Sequence, residues 1–246
     1  MSRLNWKVGF AAVLIAISAT LYYVHYLLFQ NPEHIFIFLV SDIAFVPIEV
    51  LLVTLVLDGV MRRHDRIATV QKLNMVVGAF FTDVGTEALL LLGAFDKDRS
   101  SLGEALRPTV DWKPADFAAA RKIAEKAGDN IDARLGDLPG LYAYLRDQRD
   151  FLLRLLENPN LLEHDQFTDM LWAVTHLLEE LARREDLSQL TENDLDHLSG
   201  DLARAYGALA NQWIGYMSHL QKQYPYLFSL AVRTNPLDPN ARAEVG

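Results

Sequence analysis

The chain contains no cysteine. That excludes disulfides, thiolate metal sites and cysteine nucleophiles. Several signatures of chemistry are missing too: the phosphate loop, Gly-x-Gly-x-x-Gly, Gly-x-Ser-x-Gly and His-Glu-x-x-His all fail to occur. No segment shows a convincing alternation of apolar and polar residues, so strands are not expected. Basic residues are also short, with 23 Lys and Arg against 32 Asp and Glu and a net charge of −9. Residues 1–95 hold six basic against seven acidic residues, and residues 96–246 hold 17 against 25. Without a basic stripe to neutralise phosphates, no nucleic-acid partner is expected.

What is present is apolar length. Trp6 to Phe29 carries no charge after Lys7, and His34 to Val60 is apolar except for Asp42, Glu49 and Asp58. About 20 apolar residues in a helix cross a bilayer core of about 30 Å. The sequence therefore predicts a transmembrane hairpin over residues 1–61, with spans at about 7–29 and 34–60. The first run is too long for a signal-peptide core and no small-residue cleavage site follows it, so it reads as a retained span.

Charge orients the hairpin. Arg3 and Lys7 precede the first span, Arg62, Arg63, Arg66 and Lys72 follow the second, and the link Gln30-Asn31-Pro32-Glu33 has no basic residue. The positive-inside rule places both ends in the cytoplasm, in a plasma (cell inner) membrane. Met75–Phe95 is also mostly apolar and is a candidate third span. Its Thr82, Asp83, Thr86 and Glu87 share one face, so residues 62–95 read instead as a connecting amphipathic helix.

The remainder reads as an all-α bundle over residues 96–234, on the cytosolic side, with a flexible tail at 235–246. Asp96–Asp111 reads as a loop with about one helical turn. Pro114 suits a first helical position. Pro139 opens one helix expected to run to Asn158-Pro159, and another covers about Asp165 to Arg184. Thr191 with Asp194 starts a long helix whose Leu195, Leu198, Leu202, Ala205, Leu209, Trp213, Tyr216 and Leu220 recur every three or four residues. Pro225 begins a short apolar helix.

Charged groups inside a span are costly, at least ~2.5 kcal/mol each at its centre, so the membrane acids call for an explanation. Asp42 and Glu49 are seven apart and share a face, with Pro47 between them as a hinge. In the first span Ser18, Tyr22 and His25 share a face. Folding the hairpin sets Asp42 near Tyr22 and within reach of His25, and Glu49 deeper, near Leu14 and Ser18. Two readings stay open: a polar seam that holds the hairpin together, or an ion or proton path lined by Asp42 and Glu49. Asp58, with Arg62 and Arg63, belongs to the membrane boundary. Asp83 and Glu87, four apart, form an acid pair that either shares a proton or is the wet side of its helix. Among the later histidines, His176 precedes Glu179 and Glu180, and His197 is flanked by Asp194 and Asp201. A Glu-x-x-His repeat is absent, so His164, His176, His197 and His219 read as surface or interhelical hydrogen-bonding groups with no metal.

The expectation that follows is a non-catalytic integral membrane protein. It would be a membrane-anchored helical sensor, scaffold or interaction module, homo-oligomeric, with lipid and a cytosolic protein as partners and no cofactor. The alternative is an oligomeric cation or proton channel lined by the second span. An enzyme finds no supporting constellation.

Overall fold

In the computed structural model, residues 3–161 and 165–244 are described, and the side chains of residues 3–7, 34, 59–72 and 160 fall outside that description. The side chains of Arg62 and Arg63, and all of His164, therefore lie outside the described residues. The fold is all-α: among the described residues there is no strand, only an isolated bridge between Asp96 and Ile131. The chain divides into two compact units, Met1–Arg66 and Ile67–Gly246.

The first unit is built from α1 (Arg3–Phe29) and the start of α2 (Pro32–Phe80). The turn between them has a local cause. Gln30 takes φ 49°, the left-handed conformation that ends many helices, and its N–H bonds back to the Tyr26 carbonyl at 2.8 Å. Pro32 then opens α2, where its missing N–H costs nothing. Pro47 lies inside α2, which stays helical through it.

In the second unit the end of α2 leads through a π-helical turn, Phe81–Gly85, into α3 (Thr86–Leu92) and a 3-10 turn, Gly93–Phe95. Then follow α4 (Arg99–Ala105), α5 (Pro114–Ala124), α6 (Leu138–Asp147), α7 (Arg149–Leu156), α8 (Asp165–Ala182), α9 (Glu192–Gln223) and α10 (Pro225–Arg233). The long α9 is the axis of the bundle. It packs against α8, α5, α10 and α3, while α6 joins α3 to α8. Its apolar stripe is buried from Leu198 to Leu220.

The chain from Leu73 to Phe95 lies inside this bundle. Leu73, Val77, Phe80, Phe81, Val84, Ala88, Leu89, Leu92 and Phe95 are buried, and Thr82, Asp83 and Glu87 are exposed. Phe81 stacks on Tyr216 at 5.2 Å, and Phe80 meets Phe167 edge-on at 5.5 Å. The π turn widens the helix, and the Tyr144 hydroxyl donates to the Val84 carbonyl at 3.0 Å.

Three local features differ from the sequence reading. The helix expected from Pro139 to Asn158 breaks at Gln148 into α6 and α7, where the turn loosens (φ −92°, ψ −2°) and the Gln148 N–H is shared between the Tyr144 and Leu145 carbonyls at 3.2 Å. The loop at 96–111 holds the two-turn α4. The start of the expected flexible tail is docked: Leu237 is fully buried against Gly103, and the buried Asn235 donates to the Leu106 carbonyl at 3.1 Å. Leu237 is the one large apolar side chain among the described residues of the tail, and its burial, with that of Pro236, holds the segment down.

Candidate functional site

Two polar constellations stand out among the described residues, one in each unit. In the first unit, α1 and α2 enclose an open recess of ≈ 470 Å³ lined by Ser18, Leu21, Tyr22, His25, Ile35, Phe38 and Asp42. Ser18, Tyr22 and His25 face it because they recur at helical spacing on α1. The Tyr22 hydroxyl donates to Asp42 Oδ2 at a long 3.5 Å, and the His25 ring lies 4.7 Å from that of Phe29. Glu49 does not enter the recess; it is exposed and makes no hydrogen bond or ion pair among the described residues. Asp58 is likewise exposed. Asp42 is thus the acid that the recess presents, and Glu49 is separate from it.

Asp83 and Glu87 are both exposed beside the π turn. Their negative charge adds to burial in pushing the Tyr144 hydroxyl up to about 12, so it stays a donor to the Val84 carbonyl at all ordinary pH.

The second constellation lies between α8 and α9. The short connection over residues 183–191 makes these helices antiparallel neighbours, and one i, i+4 pair on each faces the other. His176 and Glu180 come from α8, and His197 and Asp201 from α9. His176 Nε2 lies 3.5 Å from Asp201 Oδ1. His197 Nε2 lies 3.3 Å from Asp201 Oδ2 and 3.4 Å from Glu180 Oε2. The Asp201 side chain is only 4% exposed, and both imidazoles open to solvent. Arg184 donates to Glu180 Oε2 at 3.0 Å and holds that carboxyl below its usual range. Arg204 donates to Asp201 Oδ1 at 2.6 Å. Asp201 Oδ2 is buried and accepts no hydrogen bond.

The spacing that signals this cluster is readable. His-x-x-x-Glu and His-x-x-x-Asp, one on each of two consecutive helices, put an imidazole and a carboxylate on one face twice. A search for Glu-x-x-His alone passes over it. What the spacing does not reveal is the register that brings the two faces together.

No solved structure matches this chain. Two family descriptions do: "MJ1433, N-terminal helical domain" matches residues 2–61, and "Uncharacterized protein MJ1433, C-terminal helical domain" matches residues 69–233. The boundary between the two matches falls where the compact units part. The protein named Uncharacterized protein MJ1433, from Methanocaldococcus jannaschii, is 42% identical to this chain over 238 residues, covering 97% of this chain and 96% of that protein. The chain, with its apolar helical pair followed by a helical bundle, belongs to the MJ1433 family.

Proposed function

We propose that this is an integral membrane protein whose α1–α2 hairpin anchors a non-catalytic helical bundle, and that the bundle works as a sensing or interaction module in a homo-oligomer. One observation carries the reading. Val8–Phe29 and Ile35–Asp58 are long and apolar enough to cross a membrane, and neither apolar stretch is buried within the protein. Apolar side chains point outward on every face, from Phe10 and Leu14 to Ile43, Leu51 and Val56. In water such a surface far exceeds the patches that soluble proteins tolerate, whereas hydrocarbon is its natural solvent. The basic residues at both ends of the hairpin support a 30–33 link outside and a bundle in the cytoplasm.

The absence of native cysteine makes the test clean. Asn31→Cys and Ser188→Cys introduce single thiols into the link and into the bundle. A membrane-impermeant maleimide should label Cys at 31 in intact cells and Cys at 188 only after permeabilisation. Release of the protein by alkaline carbonate overturns the anchor, and the reverse labelling pattern overturns its orientation.

The recess around Asp42 favours a second reading, an oligomeric cation or proton path. It predicts a flux from reconstituted liposomes that Asp42→Asn abolishes. Liposomes that carry folded wild-type protein and pass no ions dispose of it.

A further inference from the structure

We infer that His176, Glu180, His197 and Asp201 form a binding site for a divalent transition-metal ion of the zinc type that staples α8 to α9. The donor set is two imidazole nitrogens and two carboxylates, which suits Zn²⁺ and its neighbours rather than Mg²⁺ or Ca²⁺. Three of these groups, His176, Glu180 and Asp201, offer ligand atoms that all lie within 4.8 Å of one another. His197 Nε2 closes the set at 3.3 and 3.4 Å from the two carboxylates.

The separations discriminate between two explanations. A charge-assisted N–H···O bond is about 2.7–2.9 Å long. The imidazole–carboxylate distances are 3.3, 3.4 and 3.5 Å, too long for good bonds of that kind. Four ligands about 2.0–2.1 Å from a tetrahedral ion are about 3.3–3.4 Å from one another, and the three imidazole–carboxylate separations, two of them to different oxygens of Asp201, come close to that.

Burial supplies a second, independent indication. Asp201 Oδ2 is enclosed, accepts no hydrogen bond and faces His197 Nε2. A buried carboxylate oxygen without a donor is expensive, and a cation beside it removes that cost. The remaining groups fit an outer shell. Arg204 holds Asp201 by its other oxygen, Oδ1, and Arg184 holds Glu180 while facing Asp194 at 3.6 Å. Partners of this kind orient ligating carboxylates, and their positive charge also moderates affinity. The half-exposed histidines give an ion a way in from solvent. The site lies wholly within the bundle and stands whether or not the hairpin sits in lipid.

The test is a titration of metal-free, full-length protein in detergent micelles with Zn²⁺ alone, followed by calorimetry. One ion should bind per chain and raise the melting temperature, since a ligand that binds only the folded state stabilises it. Co²⁺ in its place should give the intense visible absorption of a tetrahedral ion. Asp201→Asn and His197→Gln should each weaken Zn²⁺ binding by at least about 100-fold, because losing even an outer-shell partner typically costs 10–100-fold. If Asp201→Asn fails to fold, His176→Gln decides, because the His176 side chain is 48% exposed and carries no packing load. Absence of saturable binding, or binding that persists unchanged in the folded variants, overturns the site and leaves a cluster of ordinary ion pairs.

Discussion

Gly85 shows how tightly one residue can be constrained in this bundle. A Cβ there would sit 2.5 Å from one ring carbon of Phe80 and 2.6 Å from one of Phe81. Both rings are fully buried and held by Phe167, Trp213 and Tyr216, so neither can swing aside. Gly85→Ala should therefore cost about 1–3 kcal/mol, the usual range for overpacking a core, read as a fall in the unfolding midpoint. Tyr144 is the complementary case. Tyr144→Phe keeps the ring and removes the donor to the Val84 carbonyl, so a loss of about 1 kcal/mol is expected. An unchanged midpoint in that variant would mean that water satisfies the carbonyl equally well.

At the scale of elements, the segment at 131–134 is tied to the start of α9 by charge. Asp132 pairs with Lys97 at 3.0 Å and with Arg134 at 3.0 Å, and Arg134 reaches Glu192 at 2.6 Å and Asp196 at 2.7 Å. Hydrogen bonds from Lys97 and Arg134 pull the Asp132 carboxyl down to about 2. Its folded value thus lies below the unfolded value of about 3.9, so its stabilisation is complete above about pH 4 and is lost as the pH falls towards 2. The melting temperature should drop across that window, and Asp132→Asn should flatten that part of the curve while lowering the plateau above it. The helices themselves were largely legible. Pro114 opens α5, Thr191 caps α9 by accepting from the Asp194 N–H at 3.2 Å, and Pro225 opens α10, all by local rules that act within one turn. The break at Gln148 was not legible, because Leu145 and Leu152 keep one apolar stripe running across it. The π turn, the docking of Leu237 and the meeting of His176 with Asp201 depend on partners far away in sequence, which periodicity does not encode. In the hairpin, matching depths on two antiparallel helices sufficed to put Tyr22 opposite Asp42, while Glu49 falls outside the recess that Asp42 lines.

For the whole molecule, the question with most consequence is what becomes of Leu73–Phe95. By length and composition it is a third segment able to cross a membrane, yet nearly half of its most apolar stretch is buried inside the bundle, against none for the other two. Inserting it in lipid would strip Phe80, Phe81, Leu89, Leu92 and Phe95 from the core, all of them at most 1% exposed. Hydrocarbon would solvate those side chains, but the core partners they leave behind, Phe167, Trp213 and Tyr216 among them, would be uncovered to water at up to about 1.5–3 kcal/mol for each side chain fully exposed. Asp83 and Glu87 would enter the hydrocarbon as well, at about 2.5 kcal/mol or more each if ionised at mid-span. Both terms favour the bundle, which also has a core of its own: every residue of the buried cluster lies between Leu73 and Leu237. A chain that begins at Ile67 should accordingly be soluble without detergent, strongly helical, and unfold in one cooperative transition. A chain that ends at Arg66 should need detergent or lipid to remain dispersed. If the fragment from Ile67 instead partitions into liposomes and loses its cooperative melt, the segment belongs in the membrane, and everything after Phe95 lies on the opposite side from the one the two-span hairpin assigns.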